Sequence, residues 1–511
     1  MHQKATLTCI FFFFMLFFTT TVITVLSLYF NQKAFGDGLT QENLPPASVG
    51  NRQASLFVKV NPPILTTDNR QDAFMQFRLF DAKNNQTIQH VTYEITITKG
   101  INATSSSSTQ QQQQPLLQDF FHAHNGLLTI KVQPTNGSLQ LYGDRDPFQN
   151  ALIADPGGSV NIKGPILLDG GLYHFHIEIF GIDNDRNIFI PENAPKFDSW
   201  LSVGDVYHNN WDYQNHNYNT TLISYYDKIN NLNFDPAKKS FSWSMPFNWN
   251  LTRLQQQPVF VHEEMRLPKS WKGLGDSTMY NATVNSQPLS GRSLAIDPFS
   301  FPNAMVVHYL VNKNDILKLA QEQQQQQSTK QANGNNNTTG LMRFTLLPPS
   351  ASAQQQIPTS SDLVTNTGGI HAAVSWSPNP LKPQTQSTIK ISFYDPVTSN
   401  PLSTNDIKYD MIILKDNHTV ITKPNLLAKN AADTQTITFP ANGTYNIQLV
   451  IKGLLKTGQT PDLTRNGITT GAVVVPEFTS AGALLSIGAL FVILTIIHRL
   501  GYHKKLLDRI S

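Results

Sequence analysis

Four histidines stand in two pairs, two residues apart: His122 and His124 in "FFHAHNG", and His174 and His176 in "GLYHFHIEIFG". On a β-strand that spacing puts both imidazoles of a pair on one face. Neutral imidazole is a common ligand for zinc and copper, so these four are candidate metal ligands. A calcium candidate is "DNDRN", where Asp183, Asp185 and Asn187 offer alternating oxygens. Its sixth position is Ile188 and its twelfth Ala194, where an EF-hand loop needs Gly and Glu. "HEEMR", His262 to Arg266, opens like a zinc-protease helix. Arg266 stands where the second His is required, and the flanks alternate like strands. No G-x-S-x-G, P-loop or dinucleotide fingerprint occurs. No catalytic residue is assigned, and the chain is expected not to be an enzyme. Carboxylate pairs such as Asp144 and Asp146 leave a hydrolase as the third choice, since such a pair is defined by distance in space.

Composition narrows the partners. Of 511 residues only 14% are charged and the net charge is +3, with no dense basic interior stretch. A nucleic-acid partner would need a clustered Lys/Arg footprint. The single cysteine, Cys9, lies in the N-terminal apolar run. Without that run, disulfides, thiolate metal sites, cysteine nucleophiles and blue-copper centres are excluded.

Both ends are expected to face a membrane. Residues 1–36, with an apolar run after "MHQK", read as a signal peptide or an N-terminal anchor. From Phe478 to Ile497 an uncharged run of about 20 residues would make a helix of ~30 Å, one hydrocarbon thickness. Arg499, Lys504, Lys505 and Arg509 follow, which predicts a cytoplasmic tail and an extracytoplasmic body. Pro476, Glu477 and Phe478, then the span, then the cations, resemble the PEF-type sorting signals of archaeal surface proteins. The resemblance implies archaeosortase processing and lipid attachment. Thr479 departs from the Gly that many such signals carry.

The chain also repeats itself. "VTYEITITK" (91–99) matches "IKYDMIILK" (407–415), "FRLFD" (77–81) matches "ISFYD" (391–395), and "VKVNPP" (58–63) resembles "VSWSPNP" (374–380). "GLYHFHIEIFG" (171–181) matches "GTYNIQLVIKG" (443–453), and the order is kept in both copies. Each segment alternates apolar and polar residues, as half-buried antiparallel strands do. Tyr173, Phe175, Ile177 and Ile179 then face one core, and Tyr445, Ile447, Leu449 and Ile451 the other. His174 and His176 point away, where the second copy has Asn446 and Gln448; that face is most simply a solvated one, with chelation as the alternative. "DGGLY" (169–173) and "ANGTY" (441–445) resemble the D-x-G-x-Y corner of immunoglobulin-like folds. The resemblance implies a Tyr hydroxyl tied back to the turn.

The expected fold class is mainly β. Two immunoglobulin-like β-sandwich modules (54–183 and 370–455) flank a distinct β-rich middle domain (197–350). Linkers occupy 351–369 and 456–475, and residues 476–511 form the C-terminal signal. The first module carries an inserted hairpin and a Gln-rich loop. The Gln runs at 110–114, 255–257, 323–327 and 354–356 are expected to be solvated loops. One short helix is expected in "NKNDILKLAQEQQQQQ", capped by Asn314. Trp200, Trp211, Trp243, Trp249 and Trp271 lie in the middle segment and read as packing residues more than as a sugar-stacking strip. Sequons at Asn85, Asn102, Asn136, Asn219, Asn250, Asn281, Asn336, Asn337, Asn417 and Asn442 are glycosylation candidates outside the cell.

The leading expectation is a membrane-anchored surface protein with a structural or adhesive role, holding envelope proteins or glycans. Its plan resembles envelope proteins of ammonia-oxidising archaea. The alternative is an extracytoplasmic copper- or zinc-binding protein using the four histidines, with calcium at 183–187 a further cofactor option.

Overall fold

The computed structural model describes residues 39–66, 68–99, 115–277, 279–289, 291–330, 340–348, 360–456 and 461–476. The N-terminal segment 1–36, Glu477, Phe478 and the span after them, Asn102, Asn336, Asn337 and the Gln runs 110–114 and 354–356 lie outside the described residues. Among the described residues no helix is long and apolar enough to cross a membrane. The protein is mainly β, with 58% of the described residues in strands and two helices among them.

The first unit is built from strands that alternate as the sequence does. β1 (Arg52–Asn61), β2 (Phe74–Asp81) and β5 (Leu127–Pro134) lie side by side in one sheet, with β3 (Val91–Lys99), β4 (Leu117–Ala123), β6 (Gly171–Gly181) and β7 (Lys196–Tyr213) in the other. The second sheet is ordered β4-β3-β6-β7, all antiparallel. Phe77, Tyr93, Ile95, Phe175 and Ile177 are fully buried where the sheets face each other. Each such side chain contributes about 1.5–3 kcal/mol relative to exposure.

The second unit repeats the pairing. β11 (His371–Ser377), β12 (Gln386–Tyr394) and β15 (Ala432–Thr438) match β1-β2-β5. β14 (His418–Ala428), β13 (Asp406–Lys415), β16 (Gly443–Leu455) and β17 (Gly467–Val475) match β4-β3-β6-β7. The two tyrosines hold like places. Tyr173 Oη donates to the Asp169 carbonyl at 2.5 Å, and Tyr445 Oη to the Ala441 carbonyl at 2.6 Å.

Three expectations are corrected. Residues 467–475, read as linker, form β17, because "GITTGAVVV" supplies β-branched residues that bury Val473 and Val475 in the second core. Residues 360–364 are likewise a strand, paired to β11. The boundary at 197 does not separate two sheets. β7 has 18 residues, spanning ~60 Å. Its first half pairs with β6 and its second half with β8 (His216–Ser224), so one sheet runs from the first unit into the middle one.

The middle unit has its own core around β9 (Val261–Pro268) and β10 (Ala304–Val311). Trp243 and Trp271 are buried in it, and Trp243 stacks on Phe344 at 5.3 Å. Helix α1 (Leu251–Gln256) is capped by Asn250, whose side chain accepts from Arg253 N. Helix α2 (Lys313–Lys330) is longer than expected and carries the Gln run 323–327 inside it. Gln loses little rotamer freedom in a helix, so a capped start propagates through the run. The cap is Asn312, which accepts from Asn314 N and Asp315 N at 2.9 and 3.2 Å. Asn314, expected as the cap, lies in the first turn and donates to the Thr398 carbonyl of the second unit.

Candidate metal centre

Three strand ends meet at one edge of the first unit. β3 begins at Val91, and its antiparallel neighbours β4 and β6 end there, with Val91 opposite Ala123 and Thr92 opposite Gly181. The residues just beyond those ends are therefore brought together. They are His90 before β3, His122 and His124 at the end of β4, and Asp185 in the turn after β6. Backbone bonds fix the approach: His90 N donates to His124 O at 2.9 Å, and Asp183 N to Gln89 O at 2.8 Å. Tyr93 Oη, buried between the sheets, donates to the Gly126 carbonyl at 2.9 Å and accepts from Leu79 N.

The four side chains each offer one ligand atom, and those atoms all lie within 4.8 Å of one another. His122 Nε2 is 3.3 Å from His124 Nδ1 and 3.4 Å from Asp185 Oδ1. His124 Nδ1 is 3.4 Å from His90 Nδ1, and His90 Nδ1 is 2.7 Å from Asp185 Oδ1. A tetrahedral ion with bonds of ~2.0–2.1 Å sets its ligand atoms about 3.3–3.4 Å apart. Three of these four distances have that length, the short one is a hydrogen bond, and the remaining two of the six pairs, His90 with His122 and His124 with Asp185, lie within 4.8 Å. His122 Nδ1 lies 2.9 Å from Thr92 Oγ1. Donating that Nδ1–H leaves the Nε2 lone pair aimed at the other ligands. Burial, with His124 beside it, lowers the pKa of His122 and favours the neutral ring that a metal needs. The hydrogen bond from His90 lowers the pKa of Asp185 and keeps it a carboxylate.

His174 and His176 lie elsewhere. His122 is opposite Thr92 on β3, whereas His176 is opposite Thr96, with β3 between the two pairs. Four residues and two strands put the pairs about 16 Å apart on one sheet face. The four histidines therefore do not converge. His174 Nε2 and His176 Nδ1 instead approach the same oxygen of Asp198, at 2.8 and 2.9 Å, and His176 Nε2 meets Glu178 at 3.0 Å. Trp200 stacks on His174 at 4.2 Å. The Asp198 hydrogen bond, with Glu178 behind it, pushes His176 up to about 9, and Asp198 is held well below the usual carboxylate range. A protonated imidazole is a donor, so this is a charge cluster on the wet face.

The calcium triad is not gathered either. Asp183 Oδ2 is paired to Arg52 at 2.7 Å, while Asp185 turns to the histidines. Both carboxylate oxygens of Asp146 accept backbone N–H groups, so it is a turn-forming residue. "HEEMR" lies on β9, as the alternation predicts. Pro476 is the last described residue of the sorting motif. Asn85, Asn136, Asn219, Asn250, Asn281, Asn417 and Asn442 are all exposed.

His90 escaped the sequence reading. It stands alone in "IQHVTY", with no partner two residues away. The signal that finds it is the hairpin pairing: a residue just before β3 must lie beside the residues just after β4.

No protein-family model matches the chain, and no curated protein matches it in sequence. Among solved structures, a Salmonella alpha-2-macroglobulin mutant aligns with 84% of this chain and 33% of its own, at 7% identity and a TM-score of 0.17. The chain thus spans about a third of that protein's length. A likeness of this size carries no argument about fold or function.

Proposed function

We propose that the protein is an exported, membrane-tethered surface protein of immunoglobulin-like β-sandwich modules that binds one zinc ion at His90, His122, His124 and Asp185. The observation that carries the metal reading is the convergence of three imidazole nitrogens and one carboxylate oxygen, all within 4.8 Å of one another. Calcium would ask for six to eight oxygens. Imidazole nitrogens with one carboxylate oxygen are a common zinc donor set, and copper(I) prefers sulfur. The immunoglobulin-like assignment is supported by the repeated strand pairing and the two tyrosine corners. The surface reading is supported by the apolar ends, the PEF-like tail and the exposed sequons. On it, the protein holds envelope proteins or glycans, and the metal centre serves a structural part. Elemental analysis of the full-length protein, purified in detergent without chelator, tests the metal reading. One zinc per chain is expected, falling below a tenth in His122→Ala. A wild-type protein that takes up no zinc under titration sinks it.

A further inference from the structure

We infer that the zinc ion is a clasp, fastening the connector between β6 and β7 to the β3/β4 hairpin and so stiffening the joint between the first and middle units. This rests on the metal reading above. The ligands come from two bodies. His90, His122 and His124 belong to one hairpin whose main-chain ladder already sets their spacing. Asp185 alone comes from the connector 182–195, which leads directly into β7 and hence into the shared sheet.

The two sides differ in rigidity. His122 is buried, and Thr92 fixes its ring. The connector turn is exposed from Asp183 to Ile188. Its backbone is tied by Asp183 N to Gln89 O and by Phe189 N to Phe180 O, each at 2.8 Å. Asp183 adds the Arg52 pair, whose side chains are 37% and 39% exposed. Exposed pairs of this kind contribute little in water. Between those ties, Asp185 reaches across to His90 at 2.7 Å with its own side chain half exposed. That one edge is shorter than a tetrahedron requires. A zinc ion would replace a single solvent-accessible hydrogen bond by a Zn–O bond, and the carboxylate would move outward by a few tenths of an ångström, to an edge of about 3.3 Å. Binding then removes freedom chiefly from the connector, and this predicts that local opening there becomes rarer.

Arg186 makes the clasp measurable. It is exposed and follows the ligand directly. Trypsin cleavage of the Arg186–Asn187 bond requires the turn to open, and cleavage at Lys238, in the remote turn after Asp235, is an internal control. Full-length protein is digested with one equivalent of zinc or with EDTA, the bound zinc being measured in the same samples. The expected result is a drop of tenfold or more in the Arg186 cleavage rate on zinc loading, with Lys238 unchanged. In Asp185→Asn the protection falls to less than twofold. Zinc bound at one per chain with no change at Arg186 overturns the clasp and leaves the metal site standing. So does equal protection of Asp185→Asn, or a bond that resists trypsin equally in EDTA. Absence of bound zinc overturns the metal reading itself.

Discussion

Thr92 decides which nitrogen of His122 faces the other ligands. Its hydroxyl takes up Nδ1 and leaves Nε2 for the centre. Thr92→Val keeps the shape and removes that partner. Zinc affinity is expected to fall about 10- to 100-fold with the fold intact, read by competition with a chromophoric chelator. At the other pair, His176 supplies a pH dependence. Its folded pKa is raised to about 9, above the ordinary value near 6.5. The folded state therefore binds the proton more tightly, and the stabilisation is whole below about pH 6.5 and lost as pH rises through 9. The melting-temperature difference between wild type and His176→Gln should shrink steadily from pH 6 to pH 10. A difference that holds constant across that range refutes the charge cluster. At this scale the sequence told half. The pair 122/124 was legible because the spacing of two is visible along one strand. His90 and the separation of 174/176 were not, since both depend on which strands are neighbours and in what register.

Turns hold these residues in place, and glycine is decisive at one of them. Gly126 has φ +73°, and an added Cβ would stand 1.7 Å from the Ile88 carbonyl oxygen. Gly126→Ala must displace the turn that carries His124. It should cost at least about 1–3 kcal/mol from the left-handed backbone alone, and it should weaken zinc binding; urea unfolding and zinc titration measure the two. The tyrosine corners invite a paired test. Tyr173→Phe removes the bond to the Asp169 carbonyl, and Tyr445→Phe removes the bond to the Ala441 carbonyl together with the one accepted from Ala441 N, each bond contributing about 0.5–1.5 kcal/mol. Losses are expected in both units, the larger at Tyr445, because the two residues occupy equivalent places in two copies of one pairing scheme and Tyr445 holds the extra bond from Ala441 N. Period-two alternation made these strands legible, down to the buried tyrosines. It failed where a pattern has two readings: a polar Gln run fits a loop until a cap such as Asn312 starts a helix through it. "GITTGAVVV" passed for a linker until a neighbouring strand offered it an edge.

Among the described residues three large apolar clusters divide the molecule, and of its units only the first and the middle share a sheet. β7 ties the first core to the middle one through continuous main-chain pairing, whereas the second unit is docked by side-chain contacts and a single backbone bond, Lys313 N to Val397 O at 3.1 Å, among the described residues. Arg292 of the middle unit lies 3.9 Å from the centre of the Tyr394 ring, and its Nε donates to Ser399 Oγ at 3.0 Å. Asn43 of the first unit donates to Asp462 at 3.0 Å, and Ser300 meets Thr470 at 3.3 Å. Such polar contacts resemble those of a transient interface and separate more readily than a ladder of backbone bonds. The unequal joints predict unequal unfolding. Arg292→Ala removes a cation–π contact of about 0.5–2 kcal/mol along with its hydrogen bonds. In calorimetry it should bring the second unit's transition down by several degrees and split it from the rest. The first and middle units should still melt together, and zinc stoichiometry should stay at one. If the first and middle units part from each other instead, β7 is not the joint that its pairing describes. The connector clasped at Asp185 would then have no continuous sheet to stiffen.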